Sequence, residues 1–208
     1  MKLSWKKILL YAVGLFVTAF GIVLVKKAGI GVSAVSSIAA SLNEVTPLSF
    51  GMTTIIFNLA CFAGVVILRR KMDLWTFMIA PVTVAFGYII DFYMFLLSFK
   101  EIPIWLSIIL CAAGIFFTAL GIVIVTYSGL MLPAPDNFIR TIAELIGKPH
   151  SRIKILVDLS WVVISVIMEL IMLQRVVSVG AGTVASVIFT GYMIGVLNKV
   201  FAKFKKEA

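Results

Sequence analysis

Charge is scarce in this sequence of 208 residues: Asp, Glu, Lys and Arg make up 13% of it, and the acids number only nine. A soluble domain of this length carries about a quarter charged residues, so a water-soluble globule is excluded. Histidine occurs once and cysteine twice. Cys61 and Cys111 both lie inside apolar runs, without metal-type spacing or a disulfide framework, and read as small packing residues. His150 stands beside Arg152 at the start of an apolar run and reads as a solvated interface residue. No phosphate-binding Gly-Lys loop, His-Glu zinc motif, nucleophile elbow or dinucleotide fingerprint is present. No enzyme is expected, and with it no catalytic residue, metal or cofactor.

Apolar residues are what the chain has in abundance, at 62%. Several runs reach the roughly 18 to 20 residues that cross a bilayer. Lys2, Lys6 and Lys7 precede the first run, as in a signal peptide, but that run is too long and reappears internally, so a retained span is expected. The net charge of +9 would suggest nucleic acid in a soluble protein. In a membrane protein it follows from Lys and Arg gathering on cytoplasmic loops, so no nucleic-acid partner is expected.

The chain is internally duplicated. Residues 14–29, GLFVTAFGIVLVKKAG, recur without a gap as residues 114–129, GIFFTALGIVIVTYSG. Gly14, Thr18, Gly21, Val25 and Gly29 return as Gly114, Thr118, Gly121, Val125 and Gly129. The match extends further, since Asn58 corresponds to Asp158, and Gly87-Tyr88 to Gly191-Tyr192 after a shift of four. A duplication in so apolar a chain points to a repeat-built membrane protein.

Six spans are expected, at about 8–25, 49–68, 74–99, 104–127, 153–173 and 184–200, with Pro81 as a kink in the third. After the first span of each copy comes a shorter, interrupted segment, at 28–43 and 128–147. Gly29 and Gly31 break the first, and Ser33, Ser36 or Ser37 is placed to cap a short helix there. Pro133 and Pro135 break the second, with Asp136 or Asn137 as the expected cap of an amphipathic helix that ends at Gly147. With both termini inside, fourteen Lys and Arg fall on the inner face and four on the outer. Three spans per copy is an odd number, so the second copy enters the membrane upside down: an inverted-topology repeat, 1–101 against 102–208.

Ionisable residues inside spans are the candidate chemistry. A central carboxylate costs about 2.5 to 3.5 kcal/mol on insertion scales, so Asp91 and Asp158 should face protein or a wet cavity. On this topology Asn58 and Asp91 lie in the outer half, and Asp158 with Asp136 in the inner half. One reading is a polar path with an outer and an inner cluster; the other is that each caps a broken helix or bonds to a neighbouring Ser or Thr. Glu169, near Arg175 and the outer interface, reads as snorkelling to water. The two interrupted segments would line a binding site or lie as amphipathic helices along each interface, the latter suggested by the spacing of Arg140, Glu144 and Lys148. The substrate- or ion-binding set is therefore Asp91, Asp158, Asn58, Ser33, Ser36, Asp136 and Asn137.

In AGIGVSAVSS, PLSFGMTTIIFN, FGYIIDFYM, the Met131-Leu132-Pro133 stretch and KILVDLS, the sequence resembles the YczE/YyaS/YitT group of bacterial integral membrane proteins, most of all its YczE-like branch. The resemblance covers almost the whole chain and implies a bacterial cytoplasmic membrane location without adding a substrate. It departs from the group at Ser33-Ala34, where Ser-Pro is usual, and at Ala134-Pro135-Asp136, where Gly-Glu-Gly is usual.

The expectation is thus an all-α membrane protein of two inverted three-span repeats, acting as a transporter of an ion or small solute with its site between the repeats. Its partners would be the bilayer, the solute and, through the Gly/Ala/Ser faces of spans one and four, a second copy. The alternative is a non-transporting protein that regulates or assembles with a partner.

Overall fold

The computed structural model describes residues 4–70, 74–98 and 102–207; of residues 74–76 and 202–207 it describes the backbone alone. Lys2, Lys71 and Lys100, which entered the charge count, lie outside the described residues, as do the side chains of Lys203, Lys205 and Lys206. The described residues form eight helices: α1 (Trp5–Ala28), α2 (Ala34–Val45), α3 (Phe50–Arg69), α4 (Leu74–Leu96), α5 (Ile104–Ser128), α6 (Ala134–Ile146), α7 (His150–Leu173) and α8 (Ala181–Glu207). Six of them, all but α2 and α6, are long and apolar enough to cross a membrane. The protein is a polytopic membrane protein.

The helix ends follow local chemistry. Gly29 (φ 70°) and Gly129 (φ 66°) end α1 and α5 in the left-handed conformation that glycine takes at no steric cost, one copy matching the other. Ser49 caps α3, its Oγ accepting from Met52 N at 3.1 Å. α4 continues through Pro81. At α6 the expectation of an Asp136 or Asn137 cap is corrected: the helix starts at Ala134 behind Pro133, with no side-chain cap. Proline needs no N–H partner in a first turn, so the Pro pair starts the helix itself. Asp136 lies inside that first turn, where its charge suits the helix dipole. Gly147 ends α6 as expected.

The helices sort into two compact units. One holds α1, α5, α8 and the last turn of α4; the other holds α2, α3, the rest of α4, α6 and α7. Each takes helices from both copies of the duplication.

In the first unit α1 and α5 pack antiparallel through their glycines. A Cβ on Gly14 would stand 2.7 Å from Val125 Cγ2, and one on Gly114 would stand 2.6 Å from Val25 Cγ2. Gly21 meets Thr118, and Gly121 meets Thr18. Each contact is the other's image under the hundred-residue offset. Small residues let the backbones approach this closely, so the faces expected to receive a second copy are occupied by one another. Phe20 packs edge-on against Phe117 and Tyr93, with ring centroids 5.2 and 5.3 Å apart. The break after α1 is bonded to the start of α8, Gly182 N donating to Ile30 O at 2.7 Å.

In the second unit α2 packs on α7 and α3, and α6 packs on α3 and α7. The Phe138 ring of α6 lies against Gly64 of α3, and Ile55 of α3 against Gly87 of α4. Phe57 and Trp161 meet edge to face, 5.2 Å between centroids. Reciprocity returns here too. Ser41 of α2 reaches Glu169 of α7, and Arg69 of α3 reaches Thr141 of α6, which are equivalent positions one hundred residues apart.

Candidate functional site

The second unit carries four polar constellations, each at a different place along its helices. The first is ionic and joins α6 to α7. Lys154 Nζ lies 3.1 Å from Asp136 Oδ1 and 3.5 Å from Asp158 Oδ2. Asp136 and Asp158, both expected site residues, are thus brought together by a lysine that the candidate set omitted. The i,i+4 spacing of Lys154 and Asp158 puts them on one helix face and was a legible signal. Two carboxyl groups share one ammonium. The Asp158 side chain is only 13% exposed, and its Oδ1 is buried with no hydrogen-bond partner among the described residues. A buried carboxylate oxygen without a donor is costly, and it is the place in the triad where a ligand atom would be welcome.

The corresponding positions of the first copy are Ser36, Thr54 and Asn58, all buried, on the packed helices α2 and α3. Two of these, Ser36 and Asn58, belong to the candidate set. The same three positions therefore hold neutral polar groups in one copy and charged ones in the other.

Asp91 stands apart from the triad. Its Oδ2 accepts from Ser49 Oγ at 2.5 Å and its Oδ1 from Gly51 N at 2.7 Å, which closes the N-terminus of α3. From Gly51 to Gly64, where α6 packs, α3 rises about 20 Å at 1.5 Å per residue. Asp91 and Asp158 thus do not share one site, and Asp91 has the helix-capping role that was its alternative reading. Asn137 serves through its backbone, its carbonyl accepting from Thr141 Oγ1 at 2.9 Å. Ser33 precedes α2 and belongs to the other compact unit.

The third constellation was missed. Glu169, expected to snorkel, is fully buried. Its Oε2 accepts from Val177 N at 2.7 Å and Ser178 N at 3.1 Å, and its Oε1 lies 2.6 Å from Ser41 Oγ. Ser41 Oγ is in turn 2.5 Å from Ser165 Oγ, and Ser165 Oγ donates to the Ser37 carbonyl at 3.2 Å. The chain after α7 turns back at Gln174 (φ 56°), so backbone amides rather than water meet the carboxyl. That turn is what defeats snorkelling, and no local sequence pattern announces it.

At the C-terminal ends of α3 and α6, Arg69 Nε donates to Thr141 Oγ1 at 3.0 Å and its Nη2 to Glu144 at 3.4 Å. Glu144 also pairs with Arg140 at 2.8 Å, the helical spacing noted in the sequence. His150 opens α7 and is exposed. Among the described residues no group of three or more His, Cys, Asp or Glu is arranged to hold a metal ion.

No curated protein and no solved structure matches the chain. A family model does match, over residues 5–199. The chain belongs to that family, DUF6198, a family of unknown function.

Proposed function

We propose that the protein is a small permease-like transporter of an ion or small solute, with Asp136, Lys154 and Asp158 as its binding residues. The observation that carries this reading is the buried, unpartnered Oδ1 of Asp158 in a charged triad that joins the long apolar helix α7 to the short helix α6. Intramembrane charge is expensive and is kept where it serves a path or a ligand. A triad with one free acceptor suits a cation or a hydrogen-bond-donating solute. Lys154 holds the two carboxylates between turnovers and gives way when the solute arrives. No covalent chemistry is assigned to the chain.

The architecture we attach to this is a pair of inverted-topology repeats that alternate between inward and outward access. It is supported by the reciprocal contacts Gly14–Val125 with Gly114–Val25 and Ser41–Glu169 with Thr141–Arg69, and by the odd number of long helices per copy. The Lys and Arg bias, fourteen to four, supports both termini on the cytoplasmic side. The resemblance to the YczE-like group supports a bacterial cytoplasmic membrane.

The test is solute flux in vesicles containing the purified full-length protein, across a panel of cations and small polar solutes. Wild type should move at least one of them, and Asp158→Asn should abolish that flux while retaining wild-type helicity and melting temperature. Wild-type flux in Asp158→Asn, or no flux of any solute by the wild type, would remove the reading. The second outcome favours the assembly-protein alternative, to which the hydrogen-bonded role of Asp91 lends support.

A further inference from the structure

We propose that the end of the second unit where α3 stops and α7 begins binds the phosphate headgroup of an anionic membrane lipid. Glu144 organises the surface. Its Oε1 accepts from Arg140 Nε at 2.8 Å and its Oε2 from Arg69 Nη2 at 3.4 Å, so one carboxylate holds two guanidinium groups side by side. A guanidinium has five N–H donors. Among the described residues, Arg140 uses one of them on Glu144, while Arg69 uses one there and its Nε on Thr141. Donors outnumber acceptors, and the remaining forks suit the oxygens of a phosphate, which arginine meets bidentately.

More positive charge stands beside this pair. Arg70 follows Arg69, Lys148 lies four residues beyond Glu144, and Arg152 is in the first turn of α7. The short connection between α6 and α7 keeps the last two close, with Lys148 N bonded back to Ala143 O at 3.2 Å. The acids Asp136 and Asp158 are engaged by Lys154, toward the other end of α6. α7 opens behind Pro149 with no side chain capping its amides, which adds the positive end of a long helix to the same place. The first copy has no such cluster. Glu44 answers to Glu144, but Ala40, Leu48, Met52 and Glu169 stand where Arg140, Lys148, Arg152 and Arg69 would be matched.

Charge alone would suit any anion, and the apolar neighbours select a lipid. Leu145 and Ile146 in the last turn of α6 are exposed, as is Ile67 in the last turn of α3. Both α3 and α7 are of bilayer length, so the end they share lies at a membrane surface. A headgroup there is level with the cations, and its acyl chains run along the exposed aliphatic side chains.

This binding does not depend on transport, and its test needs none. The purified full-length protein in neutral detergent is titrated with phosphatidylglycerol or with phosphatidylcholine, and bound copies are counted by native mass spectrometry. Wild type should prefer phosphatidylglycerol. Arg140→Gln with Arg152→Gln changes two exposed side chains, so helicity and melting temperature should stay at wild-type values. Affinity for phosphatidylglycerol should fall about fivefold for each basic group removed, so about 25-fold in this double variant. Lys6→Gln with Arg175→Gln removes the same charge from two exposed positions elsewhere and should keep the wild-type affinity. Equal binding of the two lipids by wild type would overturn the proposal, as would an unchanged affinity in the Arg140 and Arg152 variant. An equal loss in the Lys6 and Arg175 variant would show net charge, not this surface, at work. Displacement of phosphatidylglycerol from wild type by equimolar inorganic phosphate would overturn the assignment to lipid.

Discussion

Ser36, Thr54 and Asn58 in the first copy hold the positions that Asp136, Lys154 and Asp158 hold in the second. Ser41 and Arg69 likewise answer to Thr141 and Glu169. The backbone contacts at these places are the same in kind, while the charges differ completely. Duplication supplied a symmetric frame, and divergence left the first three of these positions neutral in one copy and ionisable in the other. The Arg69 and Glu169 pair shows how side-chain length decides the outcome. Arginine has a long stem, reaches Thr141 on the way, and remains one-third exposed beside Glu144. Glutamate is too short to reach water from the equivalent depth, so serines and backbone amides must satisfy it instead.

The frame itself is the place to strike hardest. Gly21→Leu and Gly121→Leu each push a side chain into the backbone of the facing helix. Each should cost on the order of 3 kcal/mol or prevent folding, and the two losses should be equal. Thermal melts in detergent check this, and a clear inequality would break the reciprocity of the α1–α5 contact. Next in size is Glu169→Ala, which strands two amides and a hydroxyl in a buried place and should cost about 2 to 3 kcal/mol. Its counterpart Arg69→Ala should cost under about 1 kcal/mol, because that pair is partly solvated. Equal destabilisation in the same melts would mean that depth does not separate the two residues.

Converting the second copy to the first gives the sharpest comparison of function. The triple variant Asp136→Ser, Lys154→Thr, Asp158→Asn should stay within about 1 kcal/mol of wild type, since neutral groups often replace partly buried ion pairs at little cost. It should lose all solute flux; a variant that still transports would show that the charged triad is dispensable. Smaller again is Asp91→Asn, which weakens the closure of the α3 N-terminus by about 1 kcal/mol and should leave flux intact. Arg140→Ala removes an exposed i,i+4 pair and should move stability by only a few tenths of a kcal/mol.

Much of the architecture was legible before any coordinates. The long apolar runs became six long helices because bilayer-length hydrophobicity is a local, one-dimensional property. The breaks at Gly29, Gly129 and Pro133 were legible because glycine and proline act on their own backbone. Legibility failed at the α6 cap, where two prolines started the helix ahead of the acid, and at the site. Asp91 and Asp158 have the same sequence signature, a lone acid in an apolar run, yet one closes a helix end and the other shares a lysine.

The sequence by itself determined the number of long apolar helices and the positions of the breaks, since each depends on residues close together in the chain, and it displayed the duplication directly. Only the tertiary structure decided which polar groups meet. Ser41 and Glu169 are separated by 128 residues, and whether that acid faces water or a serine depends on how α2 packs on α7 and how the chain turns back at Gln174. A buried charge is defined by all its neighbours at once, and those arrive from every part of the fold.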